Sequence, residues 1–143
     1  MQAKQIVNFG VPWEKTFGYV QAVKLGPDIY ISGQLSHDDH GEMVAPASVG
    51  DDGKTLVPTN MGAQMRQAYV NAGRVLTELK AAPRNIVEEV IYVTDMDAAF
   101  AAGGPIRKAF YGCDQPQVAC TLIVTPRLAL PGQLVEIKFV ARL

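Results

Sequence analysis

The chain has 143 residues, of which 48% are hydrophobic and 19% are charged, and its formal net charge is −1. A chain of this length is most simply one domain, here residues 1–143, and it can bury roughly two thirds of its unfolded surface. The near-neutral charge argues against a general nucleic-acid binder, which usually has a clear basic excess. The sequence contains no run of 18 apolar residues and no apolar leader, so we expect a cytoplasmic protein without a membrane span.

The first predicted element is a β-hairpin. Residues 19–25 and 29–34 are short β-rich runs, and Gly26-Pro27-Asp28 between them is a typical turn sequence. Residues 36–58, which are dense in Gly, Pro, Asp and Ser, follow as a long loop. Loops of this length in compact domains are often functional or mobile.

A helix and a strand are predicted next. Apolar side chains recur with a 3.6-residue period across residues 61–79, which indicates a helix with one apolar stripe. Thr59 or Asn60 can cap its start, and Pro83 ends it because proline disrupts the helical turn before it. The run VIYVT at residues 90–94 is typical of a short buried strand.

The second helix is predicted from its terminal residues. Asp95 or Asp97 can cap a brief turn, which Gly103-Gly104 interrupts. Pro105 suits the first position of the helix, and Gly112 suits its end.

Two strands are predicted to close the chain, over residues 118–125 and 134–143. In the second strand an apolar face alternates with a face that carries Glu136 and Lys138. The resulting order, β-β-α-β-α-β-β, predicts an α+β fold with both helices on one face of a mixed sheet. The opposite face is partly apolar, which favours its use as an oligomer interface.

Seven short segments, in order along the chain, carry a family resemblance. They are Gly18–Val23, Ser32–Gln34, Gln64–Ala68 with Asn71, Val93–Met96, Ala109–Gly112, Pro116 with Cys120, and Val135–Ile137. Together they resemble the Rid family (reactive intermediate deaminases, also called the YjgF family). The resemblance implies a chorismate-mutase-like domain that forms homotrimers, with small-molecule sites in the clefts between subunits. It also implies hydrolysis of enamine or imine intermediates to a 2-keto acid and ammonia, without a metal or organic cofactor.

The resemblance assigns site residues to five positions of this chain. Glu136 and Ser32 fall on catalytic positions, whereas Tyr19, Gly33 and Cys120 fall on substrate-binding positions. Glu136 would position or activate water, or else is a surface acid of an alternating strand. Ser32 would bind the ligand, or else caps the backbone at a turn. Packing explains Tyr19 better than chemistry does. Cys120 could be a nucleophile, but a small buried hydrophobic side chain explains it better, since the sequence places no base beside it.

The sequence departs from the family at the position that binds the substrate carboxylate. The active deaminases carry arginine where this chain has Val118, and the family asparagine before the second helix is missing near Gly103 and Gly104. Valine cannot supply the paired hydrogen bonds of a guanidinium. Either another cation replaces the arginine, with Arg127 and Arg107 as the candidates, or the ligand has no carboxylate there.

A second candidate site lies in the long loop. The run His37-Asp38-Asp39-His40 contains ligand types that bind divalent ions. A run this tight cannot readily surround one ion, so we interpret it as a solvated loop and predict no metal site.

The sequence therefore predicts a homotrimeric Rid-family protein that binds a small metabolite and acts as an imine or enamine hydrolase with a non-standard substrate. The first alternative is a binding protein without turnover, which the valine at position 118 favours. The second is an endoribonuclease or translation inhibitor, the older names of the family. It lacks support because the sequence has no basic patch interleaved with aromatic residues.

Overall fold

A computed structural model describes residues 2–143 of the chain. Six strands form one mixed sheet in the order β1-β2-β3-β6-β4-β5. Their bounds are Gln5–Val7 (β1), Ala22–Leu25 (β2), Asp28–Gln34 (β3), Ile86–Val93 (β4), Ala119–Val124 (β5) and Val135–Arg142 (β6). Strands β4 and β5 are parallel, and the other neighbouring strands are antiparallel. The predicted mixed sheet is confirmed.

Two helices, α1 (Met61–Glu78) and α2 (Met96–Tyr111), cover one face of the sheet. Phe139 of β6 is fully buried on that face. The ring of Tyr69 in α1 lies 5.9 Å from the Phe139 ring, and that of Phe110 in α2 lies 6.4 Å from it. Both helices therefore pack on the same side, which confirms the predicted α+β fold.

Helix α2 begins nine residues earlier than predicted. Asp95 caps it by accepting a 2.8 Å hydrogen bond from the Ala98 N–H, and the helix continues through Gly103-Gly104 and Pro105 to Tyr111. The glycines were wrongly interpreted as a break. Gly103 is buried, and a Cβ there would lie 3.6 Å from Met65 Sδ, so glycine serves close packing of the two helices. Pro105 is tolerated on the exposed face, where water can bind the carbonyl that loses its helical donor.

Helix α1 ends before Pro83, so the predicted cause of its end was wrong. Lys80 adopts a left-handed conformation with φ 59°. The N–H of Ala81 donates to the Leu76 carbonyl at 2.8 Å, and that of Lys80 donates to the Thr77 carbonyl at 3.0 Å. This pair of bonds is a Schellman end, which satisfies the last carbonyls of the helix without a proline.

Three strand predictions also need correction. Strand β1 was not predicted; its three residues pair with β2, with Ile6 opposite Val23. Strand β2 begins at Ala22 rather than at residue 19, because a π-helical turn at Glu14–Gly18 precedes it. Strand β4 begins at Ile86 rather than at residue 90. The early start of β4 brings Glu89 inside the sheet.

The face opposite the helices is partly apolar, as the sequence predicts. Tyr30 pairs with Val140 across β3 and β6, and Tyr92 lies between Glu136 and Ile123 on the neighbouring strands. Tyr30 is 52% exposed and Ile123 is 40% exposed. Exposed aromatic and aliphatic side chains on one sheet face are typical of an interface.

Candidate functional site

A cavity of about 520 Å³ opens beside β3, β6 and the π-helical turn. Its lining is mostly apolar and contains one carboxylate. The residues that line it are Trp13, Thr16, Phe17, Tyr19, Ser32, Gly33, Leu35, Ala129, Leu130 and Glu136. Four of the five residues that the family resemblance assigns to the site therefore meet here: Tyr19, Ser32, Gly33 and Glu136.

Gly33 and Glu136 lie directly against each other in this cavity. The pairing between β3 and β6 is irregular from Ile31 to Gln34, which places Ser32 and Gly33 in a β-bulge. An ideal Cβ on Gly33 would lie 2.6 Å from Glu136 Cδ and 2.8 Å from its Oε1. Only glycine leaves room for the carboxyl group here, and bulges of this kind commonly re-aim side chains beside functional sites.

The environment of Glu136 favours its neutral form. Burial raises the pKa of this carboxyl, and the side-chain amide of Gln133 partly opposes the shift. A carboxyl group with a raised pKa in an apolar cavity is suited to exchange protons with a bound water.

The hydroxyl of Ser32 has a backbone partner. Its Oγ donates a 2.7 Å hydrogen bond to the carbonyl of Val20. In this arrangement Ser32 presents only oxygen lone pairs to the cavity, and it must rotate away from Val20 to donate to a ligand. Ser32 therefore both hydrogen-bonds to the backbone and lines the cavity.

Tyr19 follows the π-helical turn, and its N–H donates to the Glu14 carbonyl at 3.0 Å. Burial raises the pKa of the Tyr19 phenol, so the group stays protonated at neutral pH. It can therefore contribute both an aromatic wall and a hydroxyl donor to the cavity.

A buried polar network supports this wall. Glu14 accepts hydrogen bonds from the backbone N–H groups of Phe9 at 2.7 Å and Gly10 at 3.0 Å, and from Gln21 Nε2 at 2.8 Å. Gln34 Nε2 donates to Gln21 Oε1 and to the Ser32 carbonyl, both at 2.9 Å. The network ties the π-helical turn to the bulge that carries Ser32 and Gly33.

Cys120 lies in a different cavity, of about 340 Å³, between α2 and strands β4 and β5. Arg107, one of the two candidate replacement cations, lines the same cavity. Arg107 Nε pairs with the carboxylate of Glu89, a fully buried residue. Of the residues that the structure describes, none lines both cavities.

The thiol of Cys120 is poorly suited to nucleophilic chemistry. Cys120 is exposed in the single chain, so the expectation of a small buried side chain was wrong. Partial desolvation, followed by the nearby charge of Glu89, still raises the pKa of its thiol to about 11. Nearly all of it is therefore the unreactive thiol at neutral pH.

The remaining assigned residues lie outside the larger cavity. Val118 is partly buried and packs against the apolar core. Arg127 is exposed and lies beside the loop glycine Gly53, where a Cβ would be 2.7 Å from its Nη1. Within a single chain, neither Arg127 nor Arg107 supplies a cation to the cavity that contains Glu136.

His37 does not lie in a solvated loop, so that interpretation was wrong for this residue. It is 2% exposed, its Nδ1 donates to the Asp38 carbonyl at 2.8 Å, and its ring packs edge-on against Phe9 and Trp13. His40 is exposed. Within residues 2–143, no group of three or more His, Cys, Asp or Glu side chains is placed to hold a metal ion.

Sequence reasoning missed Trp13 and Phe17, which form part of the cavity wall. Phe17 is 86% exposed, which is unusual for a phenylalanine. The signal available was their spacing from Tyr19, since three aromatic residues fall within seven positions of a segment without strand or helix periodicity.

These features define a class: a small α+β protein with a concave, mostly apolar site that holds one carboxylate with a raised pKa. The family model described as endoribonuclease L-PSP matches residues 13–143. The chain belongs to this family, which is also known as the YjgF or Rid family, and the resemblance seen in the sequence is confirmed.

Curated relatives and solved structures agree with this assignment. The mitochondrial protein mmf1 of Schizosaccharomyces pombe is 32% identical over 123 residues, which cover 86% of this chain and 67% of that protein. The 2-iminobutanoate/2-iminopropanoate deaminase of Capra hircus is 32% identical over 124 residues, covering 86% and 78%. The crystal structure of Rv2704 from Mycobacterium tuberculosis, a YjgF/YER057c/UK114 family member, matches with a TM-score of 0.77 and 25% identity, over 99% of this chain and all of that one.

Between residues 2 and 143, neither helix combines the length and the apolar character that crossing a membrane requires.

Proposed function

We propose that the chain is a hydrolase that adds water to a C=N bond of a small metabolite and releases ammonia. The observation that carries the proposal is the placement of the Glu136 carboxyl against Gly33 in a largely apolar cavity of about 520 Å³. Family membership and relatives named as imine deaminases support the same reaction type.

In the proposed reaction, Glu136 accepts a proton from a water as the water oxygen bonds to the imine carbon. The electron pair of the C=N bond moves to nitrogen, and Glu136 passes the water proton to that nitrogen, which gives a neutral carbinolamine. The Glu136 carboxylate then takes the hydroxyl proton of the carbinolamine as the carbonyl forms and the C–N bond breaks, and it delivers this proton to the departing ammonia. A carboxyl with a raised pKa suits these proton transfers.

The other groups of the cavity bind and orient the substrate. The neutral phenol of Tyr19 can donate a hydrogen bond to the ligand, and the Ser32 hydroxyl can do so after it leaves the Val20 carbonyl. The apolar walls would pack against the uncharged part of the substrate. We assign Cys120 no nucleophilic role in this reaction, because the pKa of its thiol is raised to about 11.

We propose that the working unit is a homotrimer. The partly apolar sheet face around Tyr30 and Ile123 supports burial against a second copy. In such an assembly, β5 with Cys120 and α2 with Arg107 would close the Glu136 cavity of a neighbouring subunit. The Glu136 cavity and the Cys120 cavity would then form one cleft.

A binding protein without turnover is the second candidate. Its specific support is Val118, which packs against the core instead of offering a guanidinium. A ligand that raises Tm and is recovered unchanged after prolonged incubation would favour this candidate.

The proposal is tested by generating imines in place. An amino-acid oxidase supplies imino acids, and an amine oxidase supplies uncharged imines, while ammonia and carbonyl products are timed with and without micromolar protein. Acceleration with at least one imine is expected. No acceleration across either panel would exclude a general imine hydrolase.

A further inference from the structure

The second cavity has an unusual polar wall. Its volume is about 340 Å³, and its polar groups are the Arg107 guanidinium and the Cys120 thiol. The other lining residues are apolar or glycine: Met65, Ile91, Ala99, Phe100, Gly103, Gly104 and Leu122. Phe100 is 73% exposed and forms an apolar rim. The cavity suits a small molecule that is mostly aliphatic.

Arg107 is fixed in this wall by a buried carboxylate. Glu89 is 0% exposed, and its Oε1 accepts the hydrogen bond from Arg107 Nε. Its Oε2 accepts hydrogen bonds from the hydroxyls of Tyr69 at 2.9 Å and Tyr111 at 2.8 Å. Burial, together with Glu89, raises the pKa of both phenols, so both remain donors. Each Glu89 oxygen thus has a partner, as a buried charge requires.

The ion pair with Glu89 compensates the charge of Arg107 but leaves the N–H groups of its two Nη atoms available as hydrogen-bond donors. Among residues 2–143, its Nη groups donate to no protein acceptor, whereas its Nε is occupied by Glu89. The side chain keeps 22% exposure, so the guanidinium edge is accessible from the cavity. The negative charge of Glu89 lies directly behind it and would repel a second carboxylate.

We propose that this cavity binds small uncharged molecules through a planar carbonyl or imine acceptor that faces the Arg107 Nη groups. In the proposed trimer, Arg107 would bind the substrate of the proposed reaction. That substrate would then be an uncharged imine rather than an imino acid. This last step rests on the proposed function. The ligand preference itself does not, because it can be measured without turnover.

The test compares an isosteric pair of probes, isobutyramide and isobutyrate, titrated into the full chain by NMR or calorimetry. For the native protein we expect the amide to bind about tenfold tighter than the acid. The carboxylate of the acid would accept hydrogen bonds from Arg107 as the amide does, but the charge of Arg107 is already compensated by Glu89, which repels a second carboxylate. Equal or tighter binding of the acid, or no binding of either probe, would overturn the proposal.

Two variants test the roles of the paired residues. Arg107→Lys keeps the charge but loses the planar fork, so amide affinity is expected to fall about tenfold. Glu89→Gln removes the compensating charge, so preference is expected to shift from the amide to the acid. Unchanged amide affinity in Arg107→Lys, or an unchanged preference in a folded Glu89→Gln protein, contradicts the proposal.

Failure of this inference is distinguishable from failure of the proposed function. The imine assay reports turnover at Glu136 with either class of imine, whereas the titration reports recognition at Arg107. A protein that hydrolyses imino acids but prefers isobutyrate keeps the proposed function and loses this inference. If Glu89→Gln does not fold, the amide-to-acid ratio of the native protein still decides the matter.

Discussion

The carboxyl group of Glu136 on β6 lies against Gly33 on β3, so that a Cβ at position 33 would fall 2.6 Å from Glu136 Cδ. The two residues belong to neighbouring strands whose regular pairing is interrupted at this point by a bulge. The glycine therefore sets the position of the one carboxylate in the larger cavity. This contact brings together two residues that lie far apart in the sequence.

The first prediction concerns Gly33→Ala. The added methyl group displaces the Glu136 carboxyl, because contacts under 3.0 Å do not persist in proteins. We expect imine hydrolysis to fall about 10- to 100-fold, since small misplacements of catalytic groups cost this much. Steady-state rates at matched protein concentration measure the effect.

Gly73→Ala is the matched control. A Cβ at Gly73 would meet only Phe110 Cε2, at an ordinary contact distance of 3.9 Å, and the residue lies inside α1, away from both cavities. Alanine stabilises a helix interior by roughly 0.5–1 kcal/mol relative to glycine, so Tm should rise slightly while activity is unchanged. A similar loss of activity in both variants would show that the Gly33 contact is not specific.

The second prediction concerns the pH dependence of stability. Burial raises the pKa of Glu136 in the folded state above its ordinary value of 4.5, so between the two values the folded chain binds more protons than the unfolded chain. The Glu136 carboxyl therefore stabilises the folded state at low pH, and this stabilisation is lost as pH rises through the folded-state pKa. Above that pKa the buried charge destabilises the protein.

Glu136→Gln removes this penalty. We expect its Tm to exceed that of the native protein by a few degrees at pH 8, and the difference to shrink as pH falls toward 4. Thermal unfolding monitored by circular dichroism across this range measures it. A native protein that is more stable than the variant at pH 8 would argue against a buried charge at this position.

The third prediction concerns the cluster around Glu89. Tyr111→Phe removes a 2.8 Å hydrogen bond to a fully buried carboxylate, which should cost about 1.5–3 kcal/mol in the free energy of unfolding. Thr77→Ala is the control, because it removes an exposed 2.9 Å hydrogen bond from the Thr77 hydroxyl to the Gly73 carbonyl on α1, and it should change stability by less than about 0.5 kcal/mol. Urea unfolding distinguishes the two, and equal effects would contradict the assigned role of Tyr111.

The fourth prediction concerns Cys120. Because its pKa is raised to about 11, its thiolate is scarce at pH 8. In a Cys113→Ser background we expect alkylation by iodoacetamide on the order of a hundredfold slower than that of free cysteine, whose pKa is about 8.5. Mass spectrometry of timed samples measures the rate. A rate equal to that of free cysteine would restore Cys120 as a nucleophile candidate.

Much of the fold could be predicted because its signals are local. The apolar stripe of α1 and the alternation of β6 each depend on one face being buried against the core. The start of helix α2 was harder to predict, because Gly103 allows close packing against Met65, a residue 38 positions away in the sequence. The Schellman end at Lys80 was missed because lysine rarely adopts a left-handed conformation.

The candidate site was only partly predictable for a similar reason. Tyr19, Ser32, Gly33 and Glu136 were assigned through the family resemblance, and they line one cavity. The Glu89 cluster was missed, because a glutamate in a strand is usually exposed and its burial depends on three partners from other elements. The burial of His37 likewise depends on Phe9 and Trp13, which the sequence pattern does not connect to it.

The most direct test of the central claim is the rate of imine hydrolysis by the native protein and by Glu136→Gln, measured on the same imine at equal concentrations of folded protein. The account predicts that the native protein accelerates ammonia release and that the variant is slower by about 10²- to 10⁴-fold, the usual contribution of a general base. A variant that hydrolyses the imine as fast as the native protein would contradict it.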